Sequence, residues 1–313
     1  MNLSQAVEQY ILHKRSLGMG FRGEAVRLRA FVQAIGDCDM RLIEPAPVLR
    51  FLEGNGPLTM FWFSKYHALK TFYRYALARD YCASCPLPLS VPQKPELFQP
   101  YIYTNQDIER LIDAADSRHR YVWLLEPHTV RTLLLLLYGT GLRISEALHL
   151  TLADFDTVTG VLTIRETKFF KSRFVPVGAD LKSVLCDYID KQWKERLQDE
   201  TTPLLGTHRG QPIRRQTAEL VFKRLREHAG VVRSTDASYQ PRLHDFRHTF
   251  AVVRLVTWYR ECKNVQRLLP HLSIYLGHGR LRDTQRYLTM TTELLEQASI
   301  CFEQYARPEG PHA

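Results

Sequence analysis

Five prolines between residues 86 and 100 constrain the fold of this chain more than any other feature. They are Pro86, Pro88, Pro92, Pro95 and Pro100. Each lacks a backbone donor and disfavours helical geometry in the residue before it, so no helix is expected to cross this stretch. We therefore predict a linker over residues 86–102 that separates two domains, for which a chain of 313 residues is long enough.

The segment before the prolines, residues 1–85, has the pattern of a purely helical domain. Apolar residues recur at helical spacing through residues 6–17, 25–35 and 48–52, and glycines separate these runs. Because the helical pattern starts almost at Met1, we expect no further domain before it.

A longer helix is predicted over residues 58–81, where aromatic side chains are frequent. His67, Lys70 and Arg74 follow one another three and four residues apart, so they share one face of this helix. Such a face is either a solvated basic surface or a surface that lies against DNA phosphates. We keep both interpretations open and take the three residues as candidate DNA contacts.

The segment after the prolines, residues 103–313, mixes helices and strands. Thr104 and Asp107 have the spacing of a capping box at the start of a helix. Further elements are predicted as helices over 131–138 and 145–150 and as strands over 161–165 and 173–177. Helical patterns dominate the remainder, so the predicted fold class is mainly α with a small antiparallel β-sheet (α+β).

The bulk composition indicates a globular protein with a polyanionic partner. The net charge is +9, which favours nucleic acid as that partner over a membrane surface. The longest apolar run, residues 133–138, is too short to span a bilayer, and the N-terminus lacks the pattern of a signal peptide. We therefore expect a cytoplasmic protein with reduced cysteines, in which Cys82 and Cys85 lack the second ligand pair that a zinc site needs.

Six polar residues of the second segment suggest phosphodiester chemistry when they are taken together. They are Arg143, Lys168, His244, Arg247, His278 and Tyr287. Taken singly, each residue type is more often a surface or core residue. In this order, two arginines offer paired donors to phosphate oxygens and a tyrosine supplies a nucleophile. His244 and Arg247 are three residues apart and so share a helix face.

Four motifs around these residues carry a resemblance to a known family. They are GTGLRISEAL, RETKFFKSRFVPVG, HDFRHTFA, and LGH with a tyrosine nine residues after its histidine. In this order the motifs resemble those of the tyrosine recombinases, also called the phage integrase family. The resemblance covers about residues 103–300. It implies that residues 1–85 are a core-binding domain that contacts DNA, and that residues 103–313 are the catalytic domain with a C-terminal tail helix.

The resemblance also implies roles for the individual side chains. Tyr287 is expected to attack the phosphorus, while Arg143 and Arg247 stabilise the charge that develops on the non-bridging oxygens. A free tyrosine has a pKa near 10, so it needs a base or a strongly positive field, and His244 is the better candidate for the base. His278 is expected to hydrogen-bond a phosphate oxygen. The product is a 3′-phosphotyrosyl link that keeps the bond energy, so no metal, ATP or other cofactor is expected.

The lysine hairpin departs from the family pattern. Family hairpins often carry glycine beside the lysine, whereas Phe169 and Phe170 follow Lys168 here. Lys168 is the expected general acid for the leaving 5′ oxygen, with Lys171 as the alternative. We also take Lys171 and Arg173 as candidate DNA contacts of the hairpin. His248, next to Arg247, is expected to support packing rather than catalysis.

The implied partner is double-stranded DNA that carries specific recombination sites. The resemblance implies a homotetramer on DNA, with a Holliday junction between two rounds of strand exchange, and a monomer or weak dimer in free solution. The tail helix, residues 289–305, packs either on a neighbouring subunit or on its own. The setting is a prokaryotic nucleoid, a phage or a mobile element. Two alternatives stay open: a type IB topoisomerase-like DNA-relaxing enzyme, and a catalytically inactive DNA-binding protein.

Overall fold

The structure is a computed structural model that describes residues 1–95, 99–117, 124–165, 172–194, 199–233 and 239–306. Two compact units make up the chain, Met1–Phe98 and Gln99–Ala313. We describe each unit by itself. The assignment of the first to DNA binding and of the second to catalysis stays a prediction.

The first unit is built from helices. They are α1 (Leu3–Ser16), α2 (Arg22–Ile35), α3 (Pro45–Glu53) and α4 (Met60–Leu77). Helix α4 begins after Thr59, whose side chain accepts from the Phe61 amide, and it packs against the other three helices. Its aromatic face is buried in the core through Trp62, Phe72 and Tyr73, which accounts for the aromatic residues of this segment.

The opposite face of α4 is exposed and basic. His67, Lys70 and Arg74 all lie in solvent on this face. Lys65, two residues before His67, lies on the buried side and donates to the backbone carbonyl of Phe51. Only the outward-facing basic residues are therefore available to a partner.

The second unit is mainly helical and carries one small sheet, which confirms the predicted fold class. Its helices are α5 (Asn105–Asp116), α6 (Pro127–Thr140), α7 (Ile144–His149), α8 (Ala179–Trp193), α9 (Arg215–His228), α10 (Asp245–Arg260), α11 (Val265–Leu276), α12 (Arg282–Gln285) and α13 (Thr292–Ala306). The capping box that begins α5 is confirmed, because Thr104 and Asp107 each accept from the other's backbone amide.

The sheet is antiparallel in the order β1 (Phe155–Asp156), β2 (Val161–Ile164), β3 (Arg173–Pro176). Leu162 pairs with Val175, and both side chains are buried against the helices. The segment between β2 and β3 includes Lys168 and Lys171, and both lie outside the described residues.

Helix α6 lies at the centre of this unit, in contact with α5, α8 and α10. Its leucines are buried around the axis, as expected for a helix covered on several sides. A second cluster joins α10 and α11 to Tyr287 and Leu294. Within this chain, helix α13 packs on α10.

In the described part of the chain, no helix combines the length and the apolar character that crossing a membrane requires. Nor do three or more His, Cys, Asp or Glu side chains of these residues come together as a group able to hold a metal ion.

Candidate active site

The structure brings five of the six predicted residues to one place in the second unit. Arg143 lies between α6 and α7, and His244 and Arg247 lie at the start of α10. His278 follows α11, and Tyr287 lies in a short 3₁₀ turn after α12. The sixth residue, Lys168, lies outside the described residues.

Arg247 is held by the carboxyl ends of two helices. Its Nη1 donates to the Gly141 carbonyl at the end of α6 (2.9 Å), and its Nη2 donates to the Leu276 carbonyl at the end of α11 (2.5 Å). Arg247 is 2% exposed. Burial and the charge of Arg143 lower the pKa of Arg247 to about 10, so it stays cationic at neutral pH. The partial negative charge of helix carboxyl ends suits a buried cation.

Arg143 is fixed through Glu146, three residues along the chain. Its Nη1 donates to Oε1 of Glu146 (2.7 Å), and its backbone amide donates to Oε2 (3.0 Å). Its Nη2 donates to the Gly277 carbonyl (3.0 Å). The Arg143 side chain remains 33% exposed, so it has a free surface that can meet a ligand.

Two glycines at helix ends make these arginine contacts possible. Gly141 has φ +61° and Gly277 has φ +67°, the left-handed region in which glycine ends helices. A Cβ at Gly141 would lie 2.7 Å from Cδ1 of Phe250, and one at Gly277 would lie 2.8 Å from Nη1 of Arg173. The glycines of the GTGLR and LGH motifs therefore serve both the turn and the close packing.

Tyr287 is enclosed by the other residues of the site and is 2% exposed. Its ring centroid lies 6.1 Å from that of His278 and 5.6 Å from that of His248. Burial raises the pKa of Tyr287 above its usual value, while the charges of Arg247 and Arg286 and a hydrogen bond from Arg247 act in the opposite direction. The phenol is therefore protonated in this state and needs a base before it can attack.

The histidines of the site are uncharged at neutral pH. Loss of hydration and the neighbouring Arg247 lower the pKa of His244 to about 4, and the same two causes lower that of His278 to about 4. Nδ1 of His278 shares a hydrogen bond with Oγ1 of Thr284 (2.7 Å). His244 keeps an exposed surface even though the surrounding side chains remove much of the hydration of its ring, so the neutral ring can accept a proton.

His248 packs within the site rather than outside it. It is 5% exposed, and its ring lies 5.0 Å from that of His244, edge to face. Its Nδ1 is buried and has no hydrogen-bond partner among the described residues. Burial, followed by the nearby His244 and Arg286, lowers the pKa of His248 to about 3.

A groove of about 800 Å³ opens beside Arg143 and His244. Basic residues of α9 and of the segment before α10 line one side of it, among them Arg215, Lys223 and Arg242. The sequence analysis did not single out these residues, because an amphipathic helix with scattered basic residues carries no motif. The groove can accept an extended anionic ligand that reaches both Arg143 and His244.

The sequence analysis missed Glu146 and took Arg173 as a candidate DNA contact. Glu146 follows Arg143 by three residues, and this spacing before a helix is a signal that could have revealed the pairing. Arg173, a candidate DNA contact, has a side chain that is only 9% exposed and paired with Glu146. That placement favours a role inside the protein over contact with DNA.

The sequence profile of the phage integrase family matches residues 102–293, which is more than half of the chain and includes every residue of the site. The chain belongs to the phage integrase family. It is thus a tyrosine recombinase, an enzyme that cleaves and rejoins DNA. An integrase/recombinase of Sinorhizobium fredii, y4rB, is 37% identical over 298 residues, which covers 94% of this chain and 95% of that protein.

Solved structures of two recombinases share the fold. The Tn1549 transposon integrase, in complex with transposon right end DNA, has a TM-score of 0.72 at 18% identity, covering 98% of this chain and 100% of that one. A lambda integrase tetramer bound to a Holliday junction has a TM-score of 0.64 at 16% identity, covering 90% of this chain and 78% of that one. The tyrosine recombinase fold therefore extends over both units of the chain.

Proposed function

We propose that this tyrosine recombinase cleaves DNA by attack of the Tyr287 phenol on a phosphodiester, with Arg143 and Arg247 as the donors to its non-bridging oxygens. The observation that carries the proposal is the common anchoring of the two guanidiniums on α11, beside Tyr287. Donors that are fixed before the reaction starts stabilise developing charge without reorganisation, and one such donor is typically worth about 10²–10³ in rate.

The proton transfers are assigned to the groups that can make them. His244, neutral and exposed, accepts the phenolic proton as the P–O bond to Tyr287 forms. The bond to the 5′ oxygen breaks, and Lys168 or Lys171 supplies a proton to that oxygen. His278 donates to a phosphate oxygen. Attack by a 5′ hydroxyl on the 3′-phosphotyrosyl link reverses these steps and rejoins the strand.

Tyr287 has to move for this chemistry. Its side chain is buried, whereas a scissile phosphate would approach along the groove beside Arg143. The tyrosine lies in the 3₁₀ turn Arg286–Thr289, in which the cap amide of Met290 bonds back to the Tyr287 carbonyl. A shift of this turn, which packs on α10 and α13, would be needed to bring the phenol to the phosphate.

The proposed partner is double-stranded DNA bound by both units. The basic face of α4, with His67, Lys70 and Arg74, and the groove beside Arg143 are the surfaces offered to phosphates. The fold shared with a lambda integrase tetramer on a Holliday junction supports assembly of four copies on two DNA sites. We expect a monomer or weak dimer without DNA, and a location in the cytoplasm on the nucleoid.

Nicked suicide DNA taken from the genomic flanks of the gene tests the proposal. The wild-type protein should form a covalent adduct that mass spectrometry locates at Tyr287. Tyr287→Phe should bind the same DNA without forming an adduct. An adduct with Tyr287→Phe would refute the nucleophile, and binding without an adduct by the wild type would indicate an inactive DNA-binding protein. Relaxation of a supercoiled plasmid without two-site recombination would instead indicate a topoisomerase-like enzyme.

A further inference from the structure

Three consecutive carbonyls at the end of α11 each accept from a different arginine. Arg173 Nε donates to the Tyr275 carbonyl (2.8 Å), Arg247 donates to the Leu276 carbonyl, and Arg143 donates to the Gly277 carbonyl. Two of these arginines are the proposed phosphate donors. The third comes from the first position of β3 and has no assigned role in the reaction.

Arg173 also shares a carboxylate with Arg143. Its Nη1 donates to Oε1 of Glu146 (3.1 Å), and its Nη2 donates to Oε2 (2.8 Å). Each carboxylate oxygen of Glu146 thus accepts once from Arg173 and once from Arg143. Burial alone would raise the pKa of Glu146, but Arg173 first and then Arg143 lower it to about 2, so it stays anionic.

We propose that Arg173 is a positioning residue, which orients the Arg143 guanidinium toward the scissile phosphate by holding Glu146 against the end of α11. The inference rests on the proposed role of Arg143 in the reaction. This positioning role replaces the DNA contact that the sequence analysis expected of Arg173. The Arg173 side chain is only 9% exposed, and three of its donors are used within the protein.

The guanidinium fork is what this position requires. Arg173 reaches Glu146 through two nitrogens and Tyr275 through a third, a geometry that the single ammonium of lysine cannot reproduce. Without the fork, Glu146 keeps Arg143 as its one side-chain cation among the residues that the structure describes. Arg143 would then turn further onto Glu146 and away from the phosphate. A misplacement of about 1 Å at a catalytic group can reduce the rate by about 10²-fold.

Single-turnover adduct formation on nicked duplex, at saturating protein, separates positioning from binding. Arg173→Lys and Arg173→Gln should form the Tyr287 adduct about 10²-fold more slowly than the wild type. Their DNA dissociation constant and its salt dependence should stay at wild-type values. A direct phosphate contact would instead reduce the salt slope by about 1. The matched control is Arg267→Gln, an exposed arginine on α11 that should leave rate, affinity and melting temperature unchanged.

Coupling to Glu146 provides the second measurement. If Arg173 acts through Glu146, the double variant Glu146→Gln/Arg173→Gln should be no slower than the slower of the two single variants. Thermal melting checks that each variant is folded, and Arg173→Lys keeps the charge should Arg173→Gln fail to fold.

A wild-type rate for Arg173→Lys at saturation would overturn the proposal. So would a smaller salt slope with an unchanged saturated rate, or multiplicative losses in the double variant. Absence of an adduct with the wild-type protein would be a different result, because it would reject the proposed function itself.

Discussion

Replacement of Gly277 by alanine is the most direct test of how the end of α11 holds the arginines. Gly277 has φ +67°, and its carbonyl accepts from Arg143. Two effects should add in the variant. The left-handed backbone costs an alanine roughly 1–2 kcal/mol. The new Cβ would also lie 2.8 Å from Nη1 of Arg173, so that guanidinium must shift away from Glu146.

Gly230 supplies the matched control in the same unit. It has φ +64°, and a Cβ placed there would meet nothing within 4 Å. Gly230→Ala should therefore lose about 1–2 kcal/mol of unfolding free energy from the backbone alone and keep its rate of adduct formation. Gly277→Ala should lose more stability than the control, since Arg173 is displaced, and should form the adduct about 10²-fold more slowly.

Urea unfolding followed by circular dichroism and single-turnover adduct formation measure the two quantities. Equal losses of unfolding free energy in the two variants, together with a wild-type rate for Gly277→Ala, would show that the contacts at this glycine do not position the arginines. A slow rate with Gly230→Ala would also refute the reasoning, because that change does not touch the site.

Two further predictions concern acid stability and DNA affinity. The pKa of His248 is about 3 and that of a free histidine is about 6.5, so its contribution to stability is complete above pH 6.5 and falls as the pH drops toward 3. The wild type should lose unfolding free energy as the pH falls from 7 to 5, and one such histidine accounts for up to about 1.4 kcal/mol of this loss per pH unit. His248→Gln should therefore lose less unfolding free energy over this range. A wild-type pH dependence in this variant would contradict the prediction. Replacing both Lys70 and Arg74 by alanine should reduce the salt slope of DNA binding by up to about 1.8 with an unchanged melting temperature, and unchanged binding would remove α4 from the DNA interface.

Local patterns located the elements well but not their ends. The helix predicted over residues 58–81 is α4, which ends at Leu77, and the helix predicted over 131–138 is α6, which extends from Pro127 to Thr140. Apolar spacing reports the buried middle of a helix. Its ends depend on caps and on tertiary contacts, such as the close approach of Phe250 to Gly141, which spacing does not contain.

The residues of the candidate site show the same difference between what local sequence predicts and what depends on tertiary contacts. Arg143, Arg247 and Tyr287 stand in recognisable motifs, and the sequence placed them in one site without any knowledge of their partners. The pairing of Glu146 with Arg143 could have been predicted, because the two residues are three positions apart. The role of Arg173 could not be predicted, since 27 residues of sequence separate it from Glu146 and 102 separate it from Tyr275. An arginine in a strand of a basic protein carries no local sign that its partner is a buried carboxylate.

These contacts also explain how one small pocket accommodates two arginine side chains side by side. A buried cation without a partner is strongly unfavourable, and Arg247 is buried from water on almost every side. Neutral carbonyls at helix ends compensate it, and no carboxylate of the described residues forms an ion pair with Arg247, so in the proposed mechanism a phosphate displaces none of these carboxylates. Arg143 does carry a carboxylate partner, yet Glu146 divides its hydrogen bonds equally with Arg173. In the proposed mechanism, Arg173 therefore takes half of the hydrogen bonds to Glu146 and leaves Arg143 better placed to meet an incoming phosphate.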